Sequence, residues 1–187
     1  LSRNMDYDIF LKALKEHGLR ENVQNISENN AHFLLNLIRE RNVKYLLEIG
    51  TANWYSSLQF AREIEKNGWN IDTIEFSQAA YEQAEKNIKA LWMQHVIHQY
   101  YGDAREIIPL LEKKYDFIFI DGLKKASLDF FILSWERIAT PGIIVIDDVV
   151  KFRHKMEDLY TYLDKKTINY EIVMVDPDDG IMMIEKE

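Results

Sequence analysis

The sequence has no cysteine, and only three prolines and seven glycines occur among its 187 residues. The lack of cysteine excludes disulfide bonds and thiolate metal sites. No apolar run approaches the roughly 20 residues that a membrane-spanning helix needs, and residues 1–20 mix charges without the apolar centre of a signal peptide. We therefore expect a cytoplasmic protein with no membrane partner.

Basic residues are fewer than acidic ones, 23 against 31, so the chain carries a formal net charge of −8. Binding to nucleic-acid phosphates depends on Lys and Arg displacing counterions, so a tRNA partner is not favoured, although one basic groove would allow it. We interpret the short basic runs at 113–114, 124–125 and 151–155 as solvated faces. An apolar fraction of 47% is enough for a sizeable core, and the length fits one domain.

Short β-rich segments alternate with amphipathic helical patterns along most of the chain. Strands are predicted at 45–49, 70–75, 95–100, 117–121, 143–147, 170–175 and 181–185. Helices are predicted at 30–41, 56–67, 77–91, 104–113, 125–138 and 154–165. This alternation predicts an α/β fold with a mostly parallel seven-stranded sheet and helices on both faces.

The two ends of the chain depart from this alternation. The last two predicted strands are joined by turn residues 176–180, which are too few for a helical crossover, so they should form an antiparallel hairpin. Residues 1–25 read as one helix, at 7–17, followed by a loop, and this segment is equally suited to a lid or a dimer surface. Residues 26–187 are expected to form the main domain.

The candidate site residues follow from the strand ends, because ligands bind outside the carboxyl ends of strands in open parallel sheets. Gly50 directly follows the first strand, where it would permit a tight turn, although a plain strand-to-helix turn explains it equally well. Glu75 comes about 25 residues later and could accept hydrogen bonds from ribose hydroxyls, or cap a helix. Asp103 could cap the next helix, receive the amine of an adenine, or do both.

Acidic side chains also end the fourth and fifth predicted strands. Asp121 is followed three residues later by Lys124, and Asp147 and Asp148 are adjacent. Three carboxylates at neighbouring strand ends repel one another, and a divalent cation would neutralise them. Oxygen ligands suit Mg²⁺ in particular, and also Mn²⁺ or Ca²⁺. The alternative is that one or two of these side chains face water or cap the next segment.

At these positions the chain resembles the metal-dependent, S-adenosylmethionine-dependent O-methyltransferases, which include catechol, caffeoyl-CoA and bacterial hydroxyuridine-tRNA methyltransferases. The resemblance runs from about residue 26 to the C-terminus. It is carried by segments 47–52, 55–57, 74–75, 102–104, 119–124, 141–142, 147–148 and 179–180. It implies a Rossmann-like class I methyltransferase that moves a methyl group from S-adenosylmethionine to a hydroxyl of a small phenolic, catechol-like or nucleoside acceptor. Members of this family often form dimers, so a homodimer is expected.

The resemblance also implies roles for individual residues. The cofactor-binding residues would be Glu48, Gly50, Thr51, Ser56, Glu75, Asp103, Ala104 and Asp121. The metal ligands would be Asp121, Asp147 and Asp148. Lys124 would be the general base for the acceptor hydroxyl, acting beside Asp121, provided that its neighbours lower its pKa.

Three positions depart from the family pattern. Trp54 replaces a glycine, Asp148 replaces an asparagine at the third metal position, and Ser127 replaces an aromatic residue, often Tyr. A bulky Trp54 would either press on the carboxylate end of the cofactor or force the loop into another shape. Two alternatives therefore stay open: a metal-independent methyltransferase on the same fold, and a non-catalytic protein that binds the cofactor or a partner.

Overall fold

Seven α-helices and seven strands lie in the part of the chain that the computed structural model describes, which is residues 3–20, 26–51, 54–66 and 68–187. The helices are α1 Arg3–Arg20, α2 Glu28–Glu40, α3 Tyr55–Glu65, α4 Gln78–Ala90, α5 Ala104–Ile107, α6 Ser127–Trp135 and α7 Glu157–Lys166. The strands are β1 Tyr45–Ile49, β2 Asn70–Glu75, β3 Ile97–Tyr101, β4 Tyr115–Ile120, β5 Ile138–Ile146, β6 Glu171–Met174 and β7 Gly180–Lys186.

The strands form one sheet in the order β3-β2-β1-β4-β5-β7-β6. Neighbours from β3 to β5 run parallel, whereas β7 pairs antiparallel with both β5 and β6. The predicted α/β class, the mostly parallel sheet and the C-terminal antiparallel hairpin are therefore confirmed. The sheet order reverses between β1 and β4, and ligands of open α/β sheets bind at such a reversal.

Each face of the sheet is covered by its own apolar layer. One layer includes Leu46, Phe117 and Val145, together with apolar residues of α2 and α3. The other includes Leu47 and Ile118, with residues of α6 and α7. Successive residues of a strand point to opposite faces, and both faces here are buried, which explains why the central strands read as nearly continuous apolar runs.

Several helix boundaries differ from those predicted: α1 is longer than the predicted 7–17, α7 begins three residues after the predicted 154, and two helix ends differ for identifiable reasons. The helix predicted at 104–113 ends as an α-helix at Ile107 and continues only as a single 3₁₀ turn, Ile108–Leu110. Pro109 in that turn has no backbone N–H for the next helical hydrogen bond. Helix α6 ends at Trp135 instead of residue 138, and Ile138 begins β5 beside Tyr115.

Helix α1 packs against α3 at the edge of the first apolar layer. The Tyr7 hydroxyl donates a hydrogen bond to the Leu58 carbonyl, and Arg62 forms an ion pair with Asp8. The role of residues 1–25 as a lid or dimer surface stays a prediction, and residues 21–25 lie outside the described part. No helix in the described ranges is both long and apolar enough to cross a membrane.

Candidate functional site

The turn after β1 brings two strand ends into close contact. Gly50 has a φ of 86°, and a Cβ at this position would lie 2.7 Å from the Asp121 carbonyl oxygen and 2.8 Å from the Gly122 Cα. Backbone hydrogen bonds join the end of β1 to both neighbouring strands. The Gly50 N–H donates to the Ile74 carbonyl of β2, and the Asp121 N–H, just after β4, donates to the Ile49 carbonyl. Glycine is required here both for the left-handed backbone and for the close approach.

Glu48 is fully buried beneath this turn, where two hydroxyls hold it. Ser56 Oγ donates to Glu48 Oε1 at 2.6 Å, and Ser57 Oγ donates to the other carboxyl oxygen. Burial raises the pKa of Glu48 to about 8, although both serines oppose the shift. The predicted cofactor residues Glu48 and Ser56 are thus brought together, but they are not among the residues that line either cavity described below.

Glu75, at the end of β2, connects the first two strand exits. Its Oε2 accepts hydrogen bonds from the Thr51 backbone N–H at 3.1 Å and from the Thr51 hydroxyl at 2.8 Å. Its Oε1 accepts from the Ser77 N–H at 2.7 Å, just before α4. These contacts fix the orientation of the Glu75 carboxylate, which is a hydrogen-bond acceptor only when ionised.

A cavity of about 340 Å³ opens beside Glu75. Its lining includes the predicted cofactor residues Gly50, Glu75, Asp103 and Ala104. Asp103 caps α5 through the Arg105 N–H and also pairs with the Arg105 guanidinium, which lowers the pKa of Asp103. The sequence reasoning missed Phe76, an aromatic side chain that is 73% exposed and lines this cavity.

A second cavity, of about 560 Å³, adjoins the first. Both are lined by Gly122 and Leu123, and the second also contains all four residues predicted for catalysis and metal binding: Asp121, Lys124, Asp147 and Asp148. The carboxyl ends of β4 and β5 therefore bring these side chains together beside the first cavity.

Lys124 bridges two of the carboxylates. Its Nζ lies 2.7 Å from Asp121 Oδ1 and 2.8 Å from Asp148 Oδ2. Burial alone would lower the pKa of Lys124, but the charges and hydrogen bonds of Asp121 and Asp148 outweigh it and raise that pKa. The lowered pKa on which the general-base role depends is therefore not provided by this arrangement, and that role stays a prediction.

Asp147 is 3% exposed and faces a different partner. Its Oδ1 accepts hydrogen bonds from Asn30 Nδ2 at 2.8 Å and from the Asp148 N–H at 2.9 Å. Burial, followed by the charges of Asp121 and Asp148, raises the pKa of Asp147 well above its ordinary value. Burial also raises the pKa of Asp121, against the effect of Lys124.

The three predicted metal ligands do not converge on one point. Asp148 has a φ of 61°, and the two adjacent carboxylates have different partners, Asn30 for Asp147 and Lys124 for Asp148. Within the described ranges no group of three or more Asp, Glu or His side chains is arranged to hold a metal ion. The donors have suitable chemistry, but as placed they do not fit around a divalent cation.

Two further site residues were not foreseen. Asn30 comes from the first turn of α2, over 100 positions before its partner Asp147, and no local pattern announces that contact. Asp179 lies in the β6–β7 turn, and its Oδ1 accepts hydrogen bonds from the N–H groups of Val150, Lys151 and Gly180. The resemblance had included segment 179–180, which was the available signal for Asp179.

Trp54 packs into the interior, and the two arrangements considered for it stay predictions because they concern the loop that includes residues 52 and 53. Its φ is 75°, a left-handed conformation that favours glycine, and its side chain is completely buried in the first apolar layer. It does not line the 340 Å³ cavity, so its indole does not press on that space. Neighbouring residues 52 and 53 lie outside the described part.

Comparison with known proteins agrees with this geometry. A family described as O-methyltransferase matches residues 2–186. The catechol O-methyltransferase of Niastella koreensis is 33% identical over 132 residues, which are 67% of this chain and 58% of that protein. The chain thus spans little more than half of that relative's length.

Solved structures give the same architecture. A Staphylococcus aureus protein provisionally described as a caffeoyl-CoA O-methyltransferase superposes with a TM-score of 0.84 and 26% identity, over 94% of this chain and 92% of that one. An O-methyltransferase from Bacillus cereus in complex with SAH has a TM-score of 0.80 and 21% identity, over 94% and 90% of the two chains. At that identity the second likeness concerns the fold.

Proposed function

Because this chain belongs to the O-methyltransferase family, we propose that it transfers the methyl group of S-adenosylmethionine to a hydroxyl oxygen of a small acceptor. The observation that carries the proposal is the pair of adjoining cavities with Gly122 and Leu123 in common. A cofactor in the cavity beside Glu75 would direct its sulfonium methyl toward an acceptor in the acidic cavity.

The residues of the first cavity suit the adenosine half of the cofactor. Glu75 would accept hydrogen bonds from the ribose hydroxyls, and Thr51 and Ser77 hold its carboxylate in place. Asp103 has a carboxylate for the adenine amine, and the exposed Phe76 ring offers a face for stacking. Stacking of a base on an aromatic side chain contributes about 1–3 kcal/mol.

The second cavity would orient the acceptor. In the transfer, a lone pair on the acceptor oxygen would form the new O–C bond, the electron pair of the breaking S–C bond would stay on sulfur to give S-adenosylhomocysteine, and the hydroxyl proton would pass to water. Lys124, kept protonated by Asp121 and Asp148, would stabilise negative charge that develops on that oxygen. Most of the acceleration would come from holding oxygen and methyl in line at close range.

These steps balance without a divalent cation, and Asp121, Asp147 and Asp148 are not grouped to hold one in the described part of the chain. For the acceptor we propose a phenolic, catechol-like compound, with a hydroxylated nucleoside as the second choice. The relation to a catechol O-methyltransferase supports the first choice. A homodimer is also proposed, and tRNA is the less favoured acceptor for a chain of net charge −8.

Isothermal titration with S-adenosylhomocysteine tests the cofactor site directly. We expect saturable binding that Glu75→Gln weakens at least tenfold, whereas Glu82→Gln, at an exposed position of α4, leaves it within about twofold. Transfer of a radiolabelled methyl group to catechol and to 5-hydroxyuridine then tests the reaction and its acceptor class.

The outcomes separate the alternatives. Absence of binding would refute the cofactor site and the proposed function together. Binding without transfer to any hydroxyl acceptor would favour the non-catalytic alternative. Transfer at equal rates with a chelator and with added Mg²⁺ would favour the metal-independent one.

A further inference from the structure

The acidic cavity contains a cation that belongs to the chain itself. Lys124 Nζ lies 2.7 Å from an oxygen of Asp121, at the end of β4, and 2.8 Å from an oxygen of Asp148, after β5. The Lys124 side chain is only 14% exposed, so water shields this double ion pair poorly. The lysine therefore offsets part of the negative charge at the two strand ends, a role that the sequence alone had led us to expect from a bound metal.

The rest of the cluster is arranged around this lysine. Asp147 accepts a hydrogen bond from Asn30, whereas the adjacent Asp148, which has a left-handed backbone, pairs with Lys124. Asn30 itself is 5% exposed and lines the same cavity, and its Oδ1 accepts no hydrogen bond from the described residues. An oxygen suited to a cation is thus present beside the cluster, but the lysine holds the carboxylates.

We infer that Lys124 is the resident counter-cation of this cluster, and that a divalent cation can bind Asp121 and Asp148 only after Lys124 withdraws. Mg²⁺ binds oxygen at about 2.0–2.1 Å, whereas the ammonium holds the same oxygens at 2.7 and 2.8 Å. A divalent cation on these same oxygens would lie next to the ammonium, and the two positive charges would repel. Lys124 and the metal therefore compete.

By this inference Lys124 would control whether a divalent cation can enter the acceptor cavity, and that consequence rests on the proposed function. The competition itself is measured without cofactor or acceptor. Calorimetric titration with MnCl₂ alone is applied to the wild-type chain, to Lys124→Met and to Lys125→Met. The matched control removes one positive charge from the next residue, which is exposed and forms no ion pair within the described part.

We expect Lys124→Met to bind Mn²⁺ at least tenfold more tightly than the wild type, and Lys125→Met to stay within about twofold. Lys124→Arg, which keeps a positive charge between the carboxylates, should bind as weakly as the wild type. Equal or weaker Mn²⁺ binding by Lys124→Met would overturn the inference. So would tight binding by Lys124→Arg.

Melting temperatures provide a control for the folding of the variants. Removing Lys124 leaves two carboxylates without their shared partner, so the melting temperature of Lys124→Met should fall and should recover when Mn²⁺ is added. If Lys124→Met does not fold, Lys124→Gln, whose amide can donate to one carboxylate, replaces it with the same criterion. If the wild type does not bind S-adenosylhomocysteine, the proposed function is wrong, but the comparison of Mn²⁺ affinities still tests the inference about Lys124.

Discussion

The buried carboxyl of Glu48 makes the stability of this fold depend on pH. Its pKa is raised from 4.5 to about 8, mainly by burial. The folded chain therefore binds this proton more tightly than the unfolded chain. The associated stability is fully present below about pH 4.5 and is lost as the pH rises through about 8. A shift of this size corresponds to an upper limit of about 5 kcal/mol.

Replacing Glu48 by Gln should remove that dependence on pH. The free energy of unfolding is measured by urea denaturation at pH 5 and at pH 9. Between these values the wild type should lose stability relative to Glu48→Gln, so the difference between them should shift in favour of the variant at pH 9. Glu82→Gln, on the exposed side of α4, is the control and should follow the wild-type curve. Parallel curves for Glu48→Gln and the wild type would show that Glu48 is not buried as a protonated group.

Trp54 combines an unfavourable backbone conformation with a fully buried side chain. Truncating a buried tryptophan to alanine typically costs about 3–5 kcal/mol. Glycine leaves a void that is larger by one methyl group but relieves about 1–2 kcal/mol of left-handed strain. We therefore expect Trp54→Gly to be about 1 kcal/mol more stable than Trp54→Ala by urea denaturation. Alanine equal to or better than glycine would contradict the left-handed conformation.

At this same scale, the sequence predicted which acids gather but not how they pair. The order of Glu75, Asp103, Asp121 and Asp147 along the chain was informative because parallel strands end at one edge of the sheet. The bridge from Lys124 to Asp148 and the bond from Asn30 to Asp147 depend on side-chain directions and on contacts distant in sequence. Such contacts leave no periodic signal in the sequence.

The first turn of α2 links the helix to the acidic loops. Asn30 Nδ2 donates to the buried Asp147, whereas the neighbouring Asn29 donates to Asp176 at an exposed position, also at 2.8 Å. Leaving a buried acceptor without its donor costs about 1–3 kcal/mol, and most surface substitutions stay within about 0.5 kcal/mol. Asn30→Ala should therefore be clearly destabilising in chemical denaturation, and Asn29→Ala should not. Equal losses would mean that the Asn30 contact is not buried in solution.

Element boundaries were predictable wherever a local signal existed. Ser27 and Ser77 cap α2 and α4 through their side chains, and both helices begin within two residues of their predicted starts. The helix predicted at 104–113 was wrong at its end, because Pro109 lacks the N–H that would continue the helical hydrogen bonds. Ile138 was assigned to a helix because its pairing with Tyr115 is a tertiary contact that helical periodicity cannot report.

For the whole molecule, the arrangement of the two apolar layers predicts where the chain is most stable. The central strands β1, β4 and β5 contribute to both layers, whereas α1 contacts only the first. None of the described α1 residues lines either cavity. Amides of the central strands should therefore exchange with solvent only through global unfolding, and those of α1 through local opening at a lower free energy.

Hydrogen exchange with and without S-adenosylhomocysteine then distinguishes the two roles considered for the N-terminal segment. A ligand at 100 times its Kd raises the free energy of global unfolding by about 2.7 kcal/mol. We expect β1 and β4 to gain protection of that order, and α1 to gain little, because its described residues contact α3 and not the cavities. A gain in α1 equal to that in β1 would instead indicate that the segment closes over the ligand as a lid. Protection of α1 that rises with protein concentration alone would indicate the dimer surface.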